Sequence, residues 1–217
     1  MSGVLGVDGA RGGWVGALVR GQDVRWLALP DVRAALAVDA EVVAIDMPIG
    51  LPHTGRRACD LQAKRLLGAA HPRVFLAPPR DVLDHPDHPA ASSRHRELAD
   101  GAGLSIQTWH IVDRMREVDD AADDPRLVEV HPELSFAALA GRVLDRKKTA
   151  AGRADRLAAL RSWLPGLDLA SVPPGDDAPD ALAAAWSGRR WLDGVAQVLP
   201  VGPPPRDARG RPMRIVT

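Results

Sequence analysis

The stretch Val4–Val19, VLGVDGARGGWVGALV, decides the fold class of this chain. An apolar run ends at Asp8, a glycine-rich turn follows, and a second β-like run begins at Trp14. An apolar strand that ends in Asp beside such a turn places its carboxylate at the C-terminal edge of a sheet, where open α/β sheets build their sites. The stretch therefore predicts a hairpin that carries a functional acid.

The remaining chain alternates strand-like and helix-like patterns. Further strands are expected at three apolar runs, Val24–Leu29, Val42–Ile45 and Leu127–Val130. Helices are expected at residues 56–67, 105–118, 132–140, 154–163 and 177–192. We therefore predict an α/β fold, with a mixed sheet, an antiparallel hairpin at one edge and flanking helices. We expect one domain over residues 1–217, with a helical insertion at about 51–120 and a mobile tail at about 202–217.

Composition excludes several classes of protein. Lys plus Arg and Asp plus Glu are both 28, so the formal net charge of zero excludes a strongly basic, histone-like binder. The single cysteine, Cys59, excludes a disulfide framework and favours a reducing, cytoplasmic compartment. No apolar run approaches the roughly 20 residues that span a bilayer, and the start MSGVLGVDG lacks the basic region of a signal peptide, so neither is expected. Aromatic residues are only 4% of the chain, a poor supply for stacking single-stranded bases.

Acidic side chains recur at the ends of predicted elements. Asp8, Asp46 and Glu129 lie at or near the ends of apolar strands, and Asp177 and Asp180 open the last helix. Acids are rarely fully buried unless they are paired or bound to a cation, and carboxylates that converge raise one another's pKa. Mg²⁺ or Mn²⁺ removes that conflict. A pair of such ions can stabilise the attacking and leaving oxygens in phosphodiester cleavage, so we expect a two-metal site.

Each of these acids also has a structural explanation. Asp8 could be a turn residue, and Asp46 could satisfy the amides of the proline-containing loop that follows it. Glu129 could face solvent between two inward-facing valines. Asp177 could be the N-cap of its helix, with Asp180 in the first turn favoured by the helix dipole.

Several motifs together resemble a known family. The Val4–Val19 hairpin is similar to the first hairpin of ribonuclease H-like proteins, particularly the RuvC-like resolvase branch, and DDAPDALAAAW resembles the start of the last catalytic helix in that branch. More specifically, the chain resembles domain-of-unknown-function family 429, whose members are labelled predicted nucleases of the ribonuclease H fold. The motifs that carry this resemblance are AIDMPIGLP, RRACDLQAKRLLG, VFLAPPR, GLSIQTWHI, VEVHPELSFAAL and KKTAAGRADRL.

The resemblance implies roles for particular residues. Asp8 would be the first-strand metal ligand, and Asp46 the fourth-strand acid, where the resolvase branch carries Glu. Asp177 and Asp180 would be the helix acids that complete the metal site. Glu129 and His131 have no clean counterpart in the resolvase branch and are expected to define a family-specific site. Because resolvase relatives dimerise, a homodimer is also expected.

Candidate substrate contacts are the basic residues near these acids. Arg11 lies in the glycine turn after Asp8, while Arg56 and Arg57 lie at the start of a predicted helix. Lys148 belongs to a second basic cluster, Lys147, Lys148, Thr149, Arg153 and Arg156. These cations could hold phosphates, or they could form solvated helix faces. His131 could shuttle a proton, bind a ligand or make a structural hydrogen bond.

The sequence thus predicts a metal-dependent nuclease that hydrolyses phosphodiester bonds in nucleic acid or in another phosphate ester, with Asp8, Asp46, Glu129, Asp177 and Asp180 as catalytic residues. Two other classes fit the same pattern. One is a nucleotide-dependent phosphotransferase of the actin and sugar-kinase type. The other is a non-catalytic nucleic-acid binder on the same fold.

Overall fold

The computed structural model describes residues 3–217, so Met1 and Ser2 of the stretch expected to lack a signal peptide lie outside it. The described chain has a mixed α/β fold. Its strands are β1 Gly3–Ala10, β2 Gly13–Arg20, β3 Asp23–Leu29, β4 Val42–Ile45, β5 Leu127–Glu129, β6 Val198–Leu199 and β7 Ile215–Val216. Its helices are α1 Val32–Leu36, α2 Ala58–Leu67, α3 His88–Leu98, α4 Ile106–Trp109, α5 Val112–Ala121, α6 Pro132–Ala140, α7 Ala150–Trp163 and α8 Asp177–Leu192. No helix within residues 3–217 combines the length and apolarity needed to cross a membrane.

Five strands form one mixed sheet in the order β3-β2-β1-β4-β5. The pairs β1–β2 and β2–β3 are antiparallel, whereas β1–β4 and β4–β5 are parallel. The predicted mixed sheet with an antiparallel hairpin at one edge is therefore confirmed. Strands β6 and β7 form a separate two-stranded sheet.

The chain divides into two compact units. The first contains the residues up to Asp46, then Asp124–Gln197 and Val216–Thr217, and it holds the whole five-stranded sheet with α1, α6, α7 and α8. The second contains Met47–Asp123 and Val198–Ile215, and it holds α2 to α5.

Helix α8 packs on β1, β2 and β4 and is the central helix of the first unit. All residues from Ala178 to Gly188 are buried. Small side chains let the helix backbone come close to the sheet. A Cβ added at Gly6 would lie 1.9 Å from the Ala181 carbonyl oxygen, and one added at Gly188 would lie 2.7 Å from Val4 Cγ1. At both positions a side chain larger than that of glycine would overlap neighbouring atoms.

Local sequence signals predicted some helix ends and missed others. Helix α6 begins at Pro132 and stops at Gly141, whose positive φ of 69° ends the helix as expected. Helix α7 begins at Ala150 instead of residue 154, because Thr149 caps it by accepting from the Gly152 N–H. The predicted helix 105–118 is two helices, α4 and α5, since the chain leaves helical geometry at Ile111.

Buried arginine–carboxylate pairs organise the second unit. Arg57 donates to Asp60 and to the carbonyls of Ile49 and Gly50. Elsewhere in this unit Arg80 pairs with Asp119 and Asp207. Asp207 lies in the segment expected to be mobile and accepts from the backbone N–H groups of Leu51, Arg209 and Arg211.

The close approach at Gly6 generates a prediction for stability. Replacing Gly6 with Ala should lower the free energy of unfolding by about 1–3 kcal/mol or more, because the new methyl group would overlap the backbone of α8. Urea unfolding followed by circular dichroism measures this loss. Gly166→Ala is the matched control, since its added Cβ meets no heavy atom within 4 Å. Equal unfolding midpoints for the two variants would contradict the packing described here.

Candidate functional site

Asp8 and Asp46 lie side by side at the C-terminal edge of the sheet. Their strands, β1 and β4, are parallel neighbours with Val7 opposite Ile45, and the Asp46 N–H donates to the Val7 carbonyl at 3.0 Å. Because neighbouring strands are about 5 Å apart, the two acids belong to one cluster. Asp8 is buried and accepts from the Gly9 N–H at 2.8 Å. The alternative that Asp8 is a turn residue is wrong, because β1 continues to Ala10 and the turn lies at Arg11 and Gly12.

Helix α8 brings a third acid to this edge. Asp180 is buried in the first turns of α8, and it is adjacent to Ala181, which touches Gly6 of β1. Asp177 is in the first turn and partly exposed. The expectation that Asp177 is the N-cap is wrong by one residue. Asp176 holds that position, because Asp177 already has helical geometry.

Burial raises the pKa of all three carboxyls, and the charges of neighbouring acids add to the increase. Burial raises the pKa of Asp8 well above its ordinary value, and the charges of Asp46 and Asp180 raise it further. Burial, with the charge of Asp180, also raises the pKa of Asp46 to about 8. For Asp180, burial raises the pKa to about 6 although a lysine opposes the shift. At neutral pH these acids therefore compete for a limited amount of positive charge.

The lysine among these acids is Lys147, which the sequence places in a basic cluster that could hold phosphates and not beside the acids. Its ammonium donates to Asp180 Oδ2 at 2.6 Å, and its charge lowers the pKa of both Asp8 and Asp46. Although burial opposes it, the negative charge of Asp180 raises the pKa of Lys147 above its ordinary value. Lys147 is thus a charged counter-ion of the cluster.

The segment around Lys147 is fixed by the start of α7. Thr149 caps the helix, and a Cβ at Gly152 would lie 2.2 Å from the Arg146 carbonyl, so only glycine lets the loop pack there. Arg156 then reaches back to donate to the Asp145 carbonyl at 2.8 Å. These contacts explain the motif KKTAAGRADRL as one unit that holds the lysine. The signal in the sequence is the cap at Thr149, which puts Lys147 in a loop before the helix.

Glu129 and His131 lie on the β5–α6 side of the cluster. Glu129 ends β5 and is only 5% exposed, so the alternative that it faces solvent is wrong. Its charge contributes to raising the pKa of Asp46. His131 is the half-buried N-cap residue of α6. Glu133, a residue that the sequence analysis missed, accepts from Arg156 Nη2 at 2.6 Å.

The predicted phosphate contacts are divided between the two units. Arg11 is exposed in the β1–β2 turn, and Lys148 is exposed beside Lys147, so both belong to the unit that carries the acids. Arg56 and Arg57 belong to the second unit. Arg57 is 2% exposed and its guanidinium is held by Asp60, so its burial argues against contact with a substrate. Arg56 is partly exposed and pairs with Asp100.

The chemistry of the donor set suits a hard divalent cation. Asp8, Asp46 and Asp180 offer only carboxylate oxygens, which Mg²⁺ and Mn²⁺ prefer. Within residues 3–217, no three His, Cys, Asp or Glu side chains form a group that is already arranged to hold a metal ion. Positive charge at this place comes from Lys147, which is bound to Asp180, and the charge of Arg156 also lowers the pKa of Asp180.

Comparison with known proteins defines the class to which this α/β chain belongs. Residues 6–205 match the family described as "Protein of unknown function (DUF429)". Because the match covers most of the 217 residues, the chain belongs to the DUF429 family. No curated protein and no solved structure matches it.

The raised pKa of Asp46 generates a prediction for the pH dependence of stability. The folded-state pKa of about 8 exceeds the ordinary value of 3.8, so the folded state holds the proton more tightly. The stability that this proton provides is present below pH 4 and is lost as pH rises through about 8. Asp46→Asn should therefore raise the free energy of unfolding at pH 9 by at least about 1 kcal/mol, with little gain at pH 4.

Denaturant unfolding in EDTA at several pH values measures this effect. Glu41→Gln is the matched control, because Glu41 is exposed just before the opposite end of the same strand, β4. Parallel stability–pH curves for the parent and Asp46→Asn would show that Asp46 does not titrate as described.

Proposed function

We propose that the first unit is a ribonuclease H-like domain, of the RuvC-like branch, and acts as a metal-dependent nuclease that hydrolyses phosphodiester bonds. The observation that carries this proposal is the cluster of Asp8, Asp46 and Asp180, whose charges act on one another at the edge of the sheet. It supports the arrangement that the family resemblance implies, with acids on the first strand, the fourth strand and the last helix.

The residues that would hold Mg²⁺ or Mn²⁺ are Asp8, Asp46 and Asp180, with Asp177 at the partly exposed side. Bound divalent cations would supply polarised water and stabilise the oxygen that leaves the phosphorus. The raised pKa values of Asp46 and Asp180 mean that binding releases protons, so affinity should increase with pH. Glu129 adds negative charge beside Asp46 and strengthens the attraction for a cation.

Basic residues of the same unit have two different tasks in this proposal. Lys147 balances part of the acid charge while no metal is bound, because its ammonium is held by Asp180. Arg11 and Lys148 are exposed and are free to neutralise substrate phosphates. His131, at the N-cap of α6, is the candidate for moving a proton.

A non-catalytic nucleic-acid binder is the second candidate. The Lys147–Asp180 ion pair favours it, because one positive charge already neutralises part of the cluster without a metal ion. The two candidates differ in turnover, so a cleavage assay decides between them.

Replacing Asp8 with Asn tests the hydrolase directly. We expect the parent to cleave a branched, duplex or hybrid nucleic acid in Mg²⁺ or Mn²⁺, and Asp8→Asn to lose more than about 100-fold of that rate. Removal of even an indirect partner of a metal ligand costs 10–100-fold. Gel assays of labelled substrates over a Mn²⁺ titration measure the rates.

Asp39→Asn is the control for the loss of one negative charge, because the Asp39 side chain is 99% exposed and pairs with Arg20. If Asp8→Asn cleaves as fast as Asp39→Asn, the hydrolase site is not at Asp8. If the parent binds these substrates without cleaving any of them, the non-catalytic binder is correct.

Lys147 generates a separate prediction that needs no activity. Lys147→Met leaves Asp180 without its ammonium partner, so the free energy of unfolding in EDTA at pH 8 should fall by about 1–3 kcal/mol. Mn²⁺ should then raise the melting temperature of the variant more than that of the parent, because the cation replaces the missing charge. Differential scanning calorimetry measures both effects, with Lys148→Met as the exposed neighbouring control. Equal Mn²⁺-induced shifts in all three proteins would contradict a cation site at Asp180.

A further inference from the structure

A cavity of about 500 Å³ opens on the hairpin side of the first unit. This volume is within the range of small-ligand sites, about 300–1,000 Å³. It is lined by the β1–β2 turn, by the facing ends of β2 and β3 and by the segment before α8, namely Ala10–Val15, Trp26–Pro30 and Pro173. None of these lining residues is acidic, and Arg11 is the charged one among them, so the cavity favours an anionic or neutral ligand.

The cavity lies beside the acid cluster, on the same face of the sheet. Asp8 of β1 pairs with Val15 of β2, which in turn pairs with Ala28 of β3. Paired residues point to the same face of a sheet, so Asp8, Val15 and Ala28 share one face. Asp8 is two residues after Gly6, which contacts α8, so this is the face that α8 covers. Val15 and Ala28 line the cavity. At about 5 Å per strand, the cavity floor is about 5–10 Å from Asp8, within the span of one nucleotide.

Trp26 provides an aromatic wall. It pairs with Ala17 on the same face as Val15 and Ala28 and is partly exposed. Its indole nitrogen is buried and, within the described residues, has no hydrogen-bond acceptor. A buried N–H without an acceptor is unfavourable, so this wall lacks a polar partner in the protein alone.

Arg11 provides a cation at the turn. Its side chain is exposed and forms no ion pair with any residue of the described chain. Guanidinium groups contact phosphate oxygens and also stack on bases. An aromatic wall, an uncompensated arginine and a floor of small side chains together match one nucleotide of a single strand.

We propose that this cavity binds one unpaired base of a nucleic acid, with the base on Trp26 and the adjoining phosphate at Arg11. The inference rests on the proposed function for its ligand class, and it deepens that function by naming single-stranded substrate beside the acid cluster. The low aromatic content of the sequence is compatible with this site, because one indole ring is enough to stack on one base.

Binding without divalent metal tests this proposal apart from cleavage. The probes are a fluorescent single-stranded oligonucleotide of about eight nucleotides and a matched strand with abasic sites, both measured by anisotropy in EDTA. We expect the parent to bind the base-bearing strand more tightly. Trp26→Ala should weaken that binding roughly 5- to 150-fold and should not change the salt dependence. Arg11→Gln should reduce the slope of log K against log salt by about 0.7 for both strands.

Two further variants keep the test decisive. Ala28→Leu fills the cavity floor without removing the indole, so it should weaken binding of the base-bearing strand alone, even if Trp26→Ala fails to fold. Arg25→Gln removes a charge from the opposite face of β3, because Arg25 pairs with Leu18, and it should leave binding of both strands near that of the parent.

Equal affinity of the parent for the two strands overturns the proposal, and so does unchanged binding by Ala28→Leu. Base-dependent binding that is lost in Ala28→Leu supports it even if no substrate is cleaved in Mn²⁺, in which case the hydrolase fails and the base site stands. If cleavage requires Asp8 but the parent binds the two strands equally, the hydrolase stands and the base site fails.

Discussion

The close packing of α8 against β1 positions the acids. At Gly6 the helix backbone is so near that a single added carbon would overlap the Ala181 carbonyl. Asp8 follows Gly6 by two residues on the same face, and Asp180 directly precedes Ala181. The contact that buries the central helix therefore also brings the helix acid to the strand acid. Moving α8 away from β1 would lower the free energy of unfolding and would also separate Asp180 from Asp8.

Burial of these carboxylates is unfavourable, and bound protons together with the ammonium of Lys147 offset it. Three buried or partly buried carboxyls carry more negative charge than Lys147 can balance, and burial raises the pKa of Asp46 to about 8. Near neutral pH the cluster thus holds protons at the place where a divalent cation would bring more charge. Exchange of these protons for a cation couples metal binding to pH. Because Lys147 lowers the pKa of Asp8 and Asp46, it reduces the number of protons that a cation must displace.

The sequence predicted the parts of the fold that follow from local backbone rules. The glycine turn after Asp8 and the Pro132 and Gly141 ends of α6 required only short-range signals. The sequence also singled out Asp8 and Asp46, because an acid at the end of an apolar strand is unusual, and the structure places them beside Asp180. The burial of Arg57 and its partner Asp60 were not foreseen, since they depend on packing that helical periodicity does not reveal. Lys147 was predicted only as part of a basic cluster, because its pairing with Asp180 depends on where Asp180 lies in three dimensions.

Lys147 also shows how residues outside the acid cluster can control it. Thr149 begins α7, Gly152 admits the loop against that helix, and Arg156 fastens the loop through the Asp145 carbonyl. None of these three contacts is made to Asp8, Asp46 or Asp180, yet together they hold the segment from which the ammonium reaches Asp180. The charge of Arg156 also lowers the pKa of Asp180 directly. A change at Gly152 therefore acts on the pKa of the acids through the position of Lys147. The acid cluster and the loop that holds Lys147 therefore form one electrostatic unit, in which the lysine determines the charge of the acids as much as the acids determine the charge around the lysine.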